Sequence, residues 1–557
     1  MTHRWPTHRW PWGPVALLSL LVLLPNLVLL VRARDTAFAA TVLAQALVSW
    51  ALLVAAAGRW RWLCWGSLPL LLLVPIESIF IHQFGYPTSR HVVALLGETS
   101  VGESLQYLSG LGLVLGAGLA VLLTLWALLA RRVADRRLVS RRVQFGALGA
   151  VCLFVPGLEA LRHLPDSPLA VRQFTLANAY PAGVAYRLAG YWRAEQANAR
   201  AASAVAAFKW NASTSLEAID VVFVIGESAR PDHWGLAGYA RDTTPRLAAR
   251  GDVHFMPNLV TPWTLTRYSV PTMLKRKRAT DGAVLAEKSI LAAFDEAGFE
   301  THWFANQDGL DEIVMHVGEA QFKRSYNLAV GRGDIDAAFD GDMLPDIRAA
   351  LARPARRKLL VIHTKGSHWD YDLRYPVEFA RFLPDRTPAG DSGKYDRNLR
   401  DMLVNAYDNS IRYTDQFLDE IIETLARIGR PAVLVYVSDH GQGLYDGDCS
   451  MFGHGNDLEV AFRTAGLVWV SAPWRQAHPG AYDALVRNTG RPLSTAGTVF
   501  HTVADFGGLN IADRSASLLN PTMTPQRRWV NTRAGPLDFD LAGRAPVCRE
   551  VVPASPG

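Results

Sequence analysis

The sequence predicts an α/β fold: an N-terminal transmembrane domain of helices, followed by a larger domain with a mainly parallel sheet. Three observations support this prediction. Long apolar segments dominate the first 162 residues, whereas the rest has the composition of an ordinary soluble domain. Beyond residue 217, short β-branched runs alternate with helical ones, which is typical of a parallel sheet with helices on both faces. Polar side chains that suit a metal site follow several of these runs directly.

Five N-terminal segments are long enough to cross a bilayer, which takes roughly 20 residues. They run approximately over 13–31, 37–57, 62–81, 105–130 and 144–161. A cleaved signal peptide does not explain the set, because four more spans follow the first and no clear small-residue cleavage site appears after it. Segments this long with so few charges are not typical of buried helices in a soluble protein. We therefore predict a five-helix transmembrane domain over residues 1–162.

Arginine placement predicts the orientation of these spans. The arginine-rich stretch 131–142 lies between the fourth and fifth spans and contributes much of the modest net charge of +6. Beside a membrane segment such a stretch marks a cytoplasmic loop, and we favour this interpretation over nucleic-acid binding. Counting spans then places Arg4 and Arg9 inside and everything after residue 161 outside. In a bacterial inner membrane, the C-terminal domain would face the periplasm.

Two further features of this half stay open. Glu77 lies near the outer end of the third span, where an acid is either a functional group or a cap at the membrane interface. The polar loop that follows could touch a lipid headgroup or the catalytic domain. Residues 163–216 form a connector rich in Ala and Arg, and its stretch 188–208 alternates apolar and charged positions at helical spacing. An interfacial amphipathic helix and a linker helix packed on the domain are both compatible with it.

The C-terminal domain, 217–557, begins the regular alternation of strands and helices. A long amphipathic helix stands among the predicted strands, with apolar residues recurring at three and four. The predicted strands are IDVVFVIGE, THWFANQ, KLLVIHTKG, AVLVYVSDHG and AGLVWVSAP, and the helix is LRDMLVNAYDNSIRYTDQFLDEIIETLARIG. The sequence contains no GxGxxG or GxxxxGKS motif, so nucleotide binding has no support.

Polar residues at the ends of these runs predict a metal site. Glu227 ends one run, Asp439 and His440 end another, and His368 follows a third. The carboxyl ends of parallel strands meet at one edge of a sheet, where ligands bind. His454 lies in a glycine-rich FGHG segment. Each residue alone has an ordinary explanation as a cap or a structural histidine, but carboxylates and imidazoles together suit a divalent metal, most naturally Zn²⁺.

A threonine is the predicted nucleophile of this site. We select Thr264 in TPWTLT, because direct coordination to zinc would lower the pKa of its hydroxyl. Thr261 and Thr266 are rivals in the same stretch. Ser269 is a further candidate, farther along what the pattern predicts to be a helix.

The four cysteines say little about the compartment. Cys64 and Cys152 fall in apolar segments, whereas Cys449 and Cys548 lie in the C-terminal domain and could form one disulfide. Whether they pair stays open. The sequence has no CxxC motif and no Cys/His zinc-ribbon spacing.

The ordered motifs resemble one enzyme family. They are GESAR–DHWGLAGYARDTTPRL, TPWTLT, HTKGSHWDYDLRYP, YDNSIRYTD, SDHGQGLYD and GHG. Together with the five spans, they make nearly the whole chain similar to the phosphoethanolamine transferases of bacterial inner membranes, in the alkaline phosphatase/sulfatase superfamily. The resemblance implies a multi-pass inner-membrane protein whose alkaline phosphatase-like domain is a periplasmic zinc enzyme.

The resemblance also implies a reaction. Such enzymes move phosphoethanolamine from phosphatidylethanolamine onto a threonine, release diacylglycerol, and pass the group to a glycan or lipopolysaccharide acceptor. By motif, His368 and His454 would bind the phosphoryl group or a second zinc ion, and Thr264 would be phosphorylated. The residues implied as ligands of the first zinc ion are Glu227, Thr264, Asp439 and His440.

Two features depart from the best-known lipid A members. Those enzymes place a cysteine shortly before the nucleophile, where TPWT stands here, and a lysine near the donor phosphate, where Asp311 stands here. Both differences favour the branch that acts on the lipopolysaccharide core or other sugars. Asn306 and Gln307 are candidate substrate contacts in the same stretch. The basic cluster KRKR, 275–278, either binds an anionic acceptor or is a solvated helix end.

Other functions compete with this interpretation. A sulfatase would need a CxPxR-type motif for its formylglycine nucleophile, and none of the four cysteines begins one. A phosphoglycerol transferase would share the anchor, the metal and the threonine but use phosphatidylglycerol. A membrane-anchored phosphatase or phosphodiesterase needs only water as its acceptor. A non-catalytic scaffold is disfavoured by the complete ligand set.

Overall fold

The computed structural model describes residues 12–32, 36–84, 87–88, 112–162, 176–280, 285–307, 311–326, 338–386, 397–524 and 526–554. Most of the loop predicted between the third and fourth spans lies outside these residues. The chain divides into two compact units, Met1–Gln196 and Ala197–Gly557. This division falls inside the predicted connector, whose own limits at 163 and 216 stay predictions.

The first unit is helical. Its helices are α1 (Trp12–Arg32), α2 (Thr36–Ala57), α3 (Trp60–Phe84), α4 (Gly112–Arg132), α5 (Arg141–Arg162) and the first part of α6 (Ala182–Ala207). Helix α1 packs against α2 and α3, and α3 also packs against α4. The helices α1 to α4 are almost entirely apolar in sequence, as expected for segments surrounded by lipid.

Four of these helices, α1 to α4, are long and apolar enough to cross a membrane by length and composition. The predicted count of five is therefore too high by one within the described residues. The fifth segment does form a helix, α5, which begins with Arg141 and Arg142, and its side chains from residue 154 onward lie outside the described part.

The second unit contains fifteen strands among its described residues. They are β1 (Ile219–Gly226), β2 (Val253–Phe255), β3 (Leu259–Val260), β4 (Glu300–Ala305), β5 (Phe322–Ser325), β6 (Arg357–His363), β7 (Ala432–Ser438), β8 (Gly443–Leu444), β9 (Phe452–Gly453), β10 (Gly466–Val470), β11 (Leu493–Ser494), β12 (Trp529–Thr532), β13 (Gly535–Asp538), β14 (Gly543–Arg544) and β15 (Val551–Val552). Seven of them form one sheet in the order β2-β10-β7-β1-β6-β4-β5. Pairing is parallel from β7 to β5, and β10 runs antiparallel to β7 and β2. The α/β fold with a mainly parallel sheet is confirmed.

Helices cover both faces of this sheet. The remaining helices are α7 (Pro245–Arg250), α8 (Thr266–Leu274), α9 (Ile290–Glu296), α10 (Asp311–Gly318), α11 (Leu344–Ala352), α12 (Arg400–Ile428), α13 (Glu459–Phe462), α14 (Ala472–Ala477), α15 (Pro479–Thr489) and α16 (Thr495–Phe506). Every residue of β1 is buried. Val221 and Phe223 belong to the core on one face, whereas Val222 and Val224 belong to the core on the other. This two-sided burial explains why the central strands are continuous apolar runs.

All five predicted strands and the long helix α12 are present. The short strands β2 and β5 at the sheet edges were not predicted. The structure also settles the cysteine pairing in the second unit: Cys449 and Cys548 form a disulfide across a sequence separation of 99. Cys64 is a free, buried thiol, and Cys152 is free and exposed.

Candidate metal centre

The carboxyl edge of the sheet brings the predicted acids together. Strands β1 and β7 are parallel neighbours, and Gly226 lies opposite Ser438 in their register. The polypeptide leaves each of these two strands at that point, so Glu227 and Asp439 emerge side by side. The turn after β1 is tight: Ser228 has a positive φ of 55°. A non-glycine residue in this conformation costs of order 1–3 kcal/mol, and such strain is concentrated at functional sites.

Glycine is required on the neighbouring strand end. Gly366 follows β6 with a φ of +48°, and a Cβ there would lie 3.0 Å from the backbone N and O of Glu227. The absence of a side chain lets the two loops approach closely. The backbone of Ser367 also donates to the carbonyl oxygen of Glu227 at 3.0 Å.

Glu227, Asp439 and His440 form a fully buried cluster that could hold a metal ion. One ligand atom from each lies within 4.8 Å of the others. His440 Nε2 lies 3.2 Å from Asp439 Oδ2 and 3.7 Å from Glu227 Oε1. Carboxylate and imidazole donors at this spacing match the ligand chemistry of zinc.

The proton on His440 can be assigned from its neighbours. Nδ1 lies 2.9 Å from the carbonyl oxygen of Gly441, which can only accept a hydrogen bond. Nδ1 therefore carries the proton in the neutral ring, and Nε2 presents a lone pair to the acceptor Asp439 Oδ2. Two acceptors this close repel each other unless a cation or a proton lies between them. This arrangement fits a metal-binding site whose histidine is oriented through its other nitrogen.

The two carboxyl groups of the cluster titrate differently. Burial raises the pKa of Asp439 to about 7, and the charge of Glu227 adds to this effect. Burial also disfavours the ionised form of Glu227, but the imidazoles of His440, His368 and His454 outweigh it and hold its pKa below the usual range. The cluster thus has one firmly ionised carboxylate and one carboxyl that a cation would have to deprotonate.

Thr266, and not Thr264, contacts this cluster. Thr266 Oγ1 donates to Glu227 Oε2 at 3.2 Å and lies 3.4 Å from His440 Nε2. Thr264 is buried, and its hydroxyl donates to the carbonyl oxygen of Asn456 at 3.1 Å. This geometry favours Thr266 over the predicted Thr264 as the threonine at the cluster, and the role of either residue as a metal ligand stays a prediction.

The reason is local structure. Thr266 is the first residue of helix α8, so its half-buried hydroxyl stands at the positive end of the helix dipole. The other two rivals bond elsewhere: Thr261 Oγ1 donates to the carbonyl oxygen of Trp263, and Ser269 Oγ donates to that of Leu265.

Of the two candidate substrate contacts after β4, only one approaches the cluster. Gln307 Nε2 donates to Glu227 Oε2 at 3.0 Å and to the carbonyl oxygen of Thr364 at 2.7 Å. Asn306 instead donates to Asp340 Oδ1 at 3.0 Å. Gln307 thus orients the carboxylate of Glu227, whereas Asn306 braces the neighbouring loop.

His368 and His454 stand beside the cluster. The rings of His454 and His440 have centroids 4.3 Å apart, and those of His454 and His368 lie 6.5 Å apart. Burial and then His440 lower the pKa of His454 to about 3. Burial and then the charge of Lys365 lower the pKa of His368 well below its usual value.

Glu77 lies in the first unit, where its carboxylate belongs to a buried hydrogen-bond network with Thr88 and Arg187. Thr88 donates its backbone N–H to Glu77 Oε1 at 3.1 Å and its hydroxyl to Oε2 at 2.5 Å. Arg187 on helix α6 forms an ion pair with Glu77 at 3.2 Å and donates to the carbonyl oxygen of Thr88 at 2.9 Å. These contacts tie three separate segments of the unit together.

The basic cluster after helix α8 is only partly solvated. Lys275 and Lys277 are buried, whereas Arg276 and Arg278 are exposed. Arg276 pairs with Glu287 at 2.6 Å. Asp311 begins helix α10, and its side chain lies outside the described part.

Sequence reasoning missed two residues that hold the site in place. Ser228 donates its N–H to Asp439 Oδ1 at 3.0 Å and its hydroxyl to Glu227 Oε1 at 2.6 Å. Gln442 contacts His454 Nδ1 at 2.9 Å. Both stand next to predicted ligands in the GESAR and SDHGQG motifs, and that adjacency was the available signal. Gln307 was noticed, but as a substrate contact.

Comparison with known proteins agrees with this fold. A family model described as sulfatase matches residues 219–509, slightly more than half of the 557 residues. The phosphoethanolamine transferase EptC of Escherichia coli K12 is 26% identical over 477 residues, covering 80% of both chains. The Kdo(2)-lipid A phosphoethanolamine 7''-transferase of the same strain is 30% identical over 275 residues, or 47% of this chain and 46% of that protein.

Solved structures extend the likeness. The integral membrane lipooligosaccharide phosphoethanolamine transferase A of Neisseria meningitidis has a TM-score of 0.68 at 22% identity, covering 91% of this chain and 98% of that one, and so shares its fold. The zinc complex of the periplasmic domain of E. coli EptC has a TM-score of 0.52 at 26% identity, covering 59% of this chain and 95% of that one. The chain thus belongs to the sulfatase family, as an enzyme with the alkaline phosphatase-like fold that is similar to bacterial phosphoethanolamine transferases.

Proposed function

We propose that the protein transfers phosphoethanolamine from phosphatidylethanolamine to a cell-envelope glycan or lipopolysaccharide, by way of a phosphothreonine on Thr266. The observation that supports this most directly is the contact of one threonine hydroxyl with both Glu227 and His440. A half-buried hydroxyl held against metal-type ligands is suited to nucleophilic attack on phosphorus.

Zn²⁺ is the cofactor that best fits the donor set. Glu227, Asp439, His440 and Thr266 would hold it, and the facing acceptors Asp439 Oδ2 and His440 Nε2 support a cation there. When bound, zinc neutralises phosphoryl oxygen charge and lowers the pKa of a coordinated hydroxyl. We expect one tightly held zinc ion, and a second ion could bind near His368 and His454 during turnover.

Transfer requires two displacements. In the first, Thr266 Oγ forms a bond to the donor phosphorus, the bond from phosphorus to the diacylglycerol oxygen breaks, and the threonine proton reaches that oxygen. In the second, an acceptor hydroxyl attacks the phosphothreonine, the bond from phosphorus to Thr266 Oγ breaks, and the proton of the acceptor hydroxyl passes to Thr266 Oγ.

Two histidines have a separate task in this scheme. His368 and His454 contact the phosphoryl group, or hold a second metal ion, beside the cluster. Gln307 keeps the carboxylate of Glu227 directed at the threonine. Dividing the transfer into two steps lets one small site serve two bulky substrates in turn.

The membrane helices and the disulfide support a location in the inner membrane, with the second unit in the periplasm. Four apolar helices would hold the chain in a bacterial inner membrane, next to a lipid donor. The Cys449–Cys548 disulfide in the second unit suits an oxidising compartment such as the periplasm. The missing cysteine and lysine near the nucleophile favour a core sugar or another glycan over lipid A as the acceptor.

Peptide mass spectrometry would test the proposal. The detergent-purified, zinc-loaded protein is incubated with phosphatidylethanolamine or phosphatidylglycerol, beside the Thr266→Ala and Thr264→Ala variants. We expect a phosphoethanolamine mass on the peptide containing Thr266, absent only from Thr266→Ala. A glycerophosphate mass would identify a phosphoglycerol transferase instead. Absence of any adduct, with release of the headgroup into water, would identify a phosphodiesterase.

A further inference from the structure

Gln442 occupies the centre of a hydrogen-bond chain that ends on His454. It is fully buried and lies two residues after His440. Its side-chain Nε2 donates to the hydroxyl of Tyr371 at 2.6 Å, while its Oε1 lies 2.9 Å from His454 Nδ1. The two ends of one amide thus engage two different partners.

This arrangement determines which nitrogen of His454 holds the proton. An amide oxygen has only lone pairs to offer, so His454 Nδ1 must donate to it. In the neutral ring, Nε2 then presents a lone pair. The rings of His454 and His440 have centroids 4.3 Å apart and are tilted by 39°, so His454 lies directly beside the metal centre.

Gln442 is itself held from both sides. Its backbone carbonyl oxygen accepts from Arg230 Nη1 at 3.0 Å, and Arg230, only 3% exposed, also pairs with Asp446 at 2.9 Å. On the other side, Tyr371 is buried and packs edge-on against Tyr407 with ring centroids 5.1 Å apart. Neither end of the amide can turn without breaking buried contacts.

We propose that Gln442 is a positioning residue that fixes His454 as the Nδ1-protonated tautomer and presents its Nε2 lone pair to the metal centre. The inference rests on the proposed function, since it gives His454 its orientation in that site. Gln442 also accepts this hydrogen bond without adding a negative charge, beside a cluster that already contains Glu227 and Asp439. A third buried carboxylate would raise the cost of ionising those two.

Kinetics of the full-length protein in lipid nanodiscs tests this role. Gln442→Met keeps the side-chain length and removes both hydrogen bonds, and we expect kcat to fall roughly 10- to 100-fold, as for other residues that orient a ligand. We expect KM for the lipid donor and the bound zinc content to stay at wild-type values. Gln442→Glu keeps an acceptor for Nδ1 and should restore the Nδ1-protonated tautomer, while its added charge beside Glu227 and Asp439 should keep kcat below the wild-type value.

The matched control is Gln416→Met. The amide of Gln416 donates to Glu420 one turn along helix α12, at 2.9 Å, and its loss should leave kcat unchanged. A wild-type kcat in Gln442→Met would overturn the positioning role. A Gln442→Glu protein that matches Gln442→Met in every measured parameter would overturn it as well.

A second measurement does not depend on turnover. The protein is labelled with ¹⁵N-histidine, and the signals of His454 are assigned by their loss in His454→Gln. We expect an Nδ1-protonated ring in the wild type and exchange between both tautomers in Gln442→Met. A proton on Nε2 in the wild type would overturn the inference. If the wild type transfers no phosphoethanolamine, the proposed function fails, while the tautomer still decides the role of Gln442.

Discussion

Thr266 Oγ1 lies 3.2 Å from Glu227 Oε2, although 39 residues separate the two along the chain. The contact joins the first residue of helix α8 to the end of the central strand β1. Thr264, two residues earlier, turns its hydroxyl to the carbonyl oxygen of Asn456 instead. A shift of two residues therefore separates a hydroxyl at the cluster from a hydroxyl in the supporting loop.

The first prediction concerns these two threonines. Thr266→Ala should lower kcat at least about 1,000-fold, because it removes the nucleophile and leaves only binding and electrostatic effects. Thr264→Ala should cost much less, since it loses one neutral hydrogen bond worth about 1 kcal/mol. Diacylglycerol release from phosphatidylethanolamine measures both. Equal losses in the two variants would contradict the assignment.

The second prediction concerns metal content. Glu227→Gln and Asp439→Asn each remove a charged ligand from the buried cluster, so the zinc content of the purified protein should fall from about one ion per chain to near zero. Inductively coupled plasma mass spectrometry measures it. Asp448→Asn is the control, because the Asp448 side chain is fully exposed. Variants that keep zinc at the wild-type level would exclude this cluster as the site.

The third prediction concerns pH. Asp439 has a pKa raised by burial to about 7 in the metal-free protein, against 3.8 in a model compound. Below pH 7 zinc must displace a proton, so its affinity should fall about tenfold for each further pH unit. Competition with a chelator between pH 5.5 and pH 8 measures this. A flat affinity over that range would show that Asp439 is already ionised.

The fourth prediction concerns the stability of the metal-free protein. Here the raised pKa of Asp439 favours low pH, whereas zinc binding favours high pH. A raised pKa stabilises the protonated folded state, so this contribution is complete below about pH 4 and is lost as the pH rises through about 7. Chelator-treated protein should therefore melt at a lower temperature at pH 8 than at pH 6, whereas zinc-loaded protein should show the reverse order. Thermal melts of both forms in detergent make the comparison. Asp439→Asn should abolish the pH dependence of the metal-free form.

The fifth prediction concerns the buried pair in the first unit. Removing one partner leaves an uncompensated buried charge, which costs about 3–5 kcal/mol, so Glu77→Gln or Arg187→Met should lower the melting temperature strongly. The double variant should be more stable than Arg187→Met alone, because both charges are gone. Thermal melts in detergent form the double-mutant cycle, with the exposed pair Arg59–Asp135 as the control. Additive losses would show that the pair is not coupled.

Strong periodic signals explain what the sequence could predict. The central strands are fully buried on both faces, so runs such as VVFVIG stand out from their surroundings. Polar residues directly after them had to meet at the carboxyl edge, because that edge is shared by all parallel strands. The sequence alone therefore predicts one cluster that contains Glu227, Asp439 and His440.

Local geometry explains what the sequence could not predict. The strand β2 has three residues, Val253–Phe255, which is too short for a period-two pattern to register. The choice between Thr264 and Thr266 depends on where helix α8 begins, and the cap at Leu265 makes no side-chain hydrogen bond that a motif could signal. The bracing amides of Gln307 and Gln442 come from loops whose approach depends on the whole fold.

The disulfide between Cys449 and Cys548 has a consequence for the order in which the protein matures. Cys449 lies between Gln442 and His454, whereas its partner stands 99 residues farther along the chain. Every residue of the metal centre has therefore been synthesised well before the loop that bears His454 can be tied down. A ribosome that stops short of residue 548 would release a chain with all of its ligands and none of the closure that holds this loop in place.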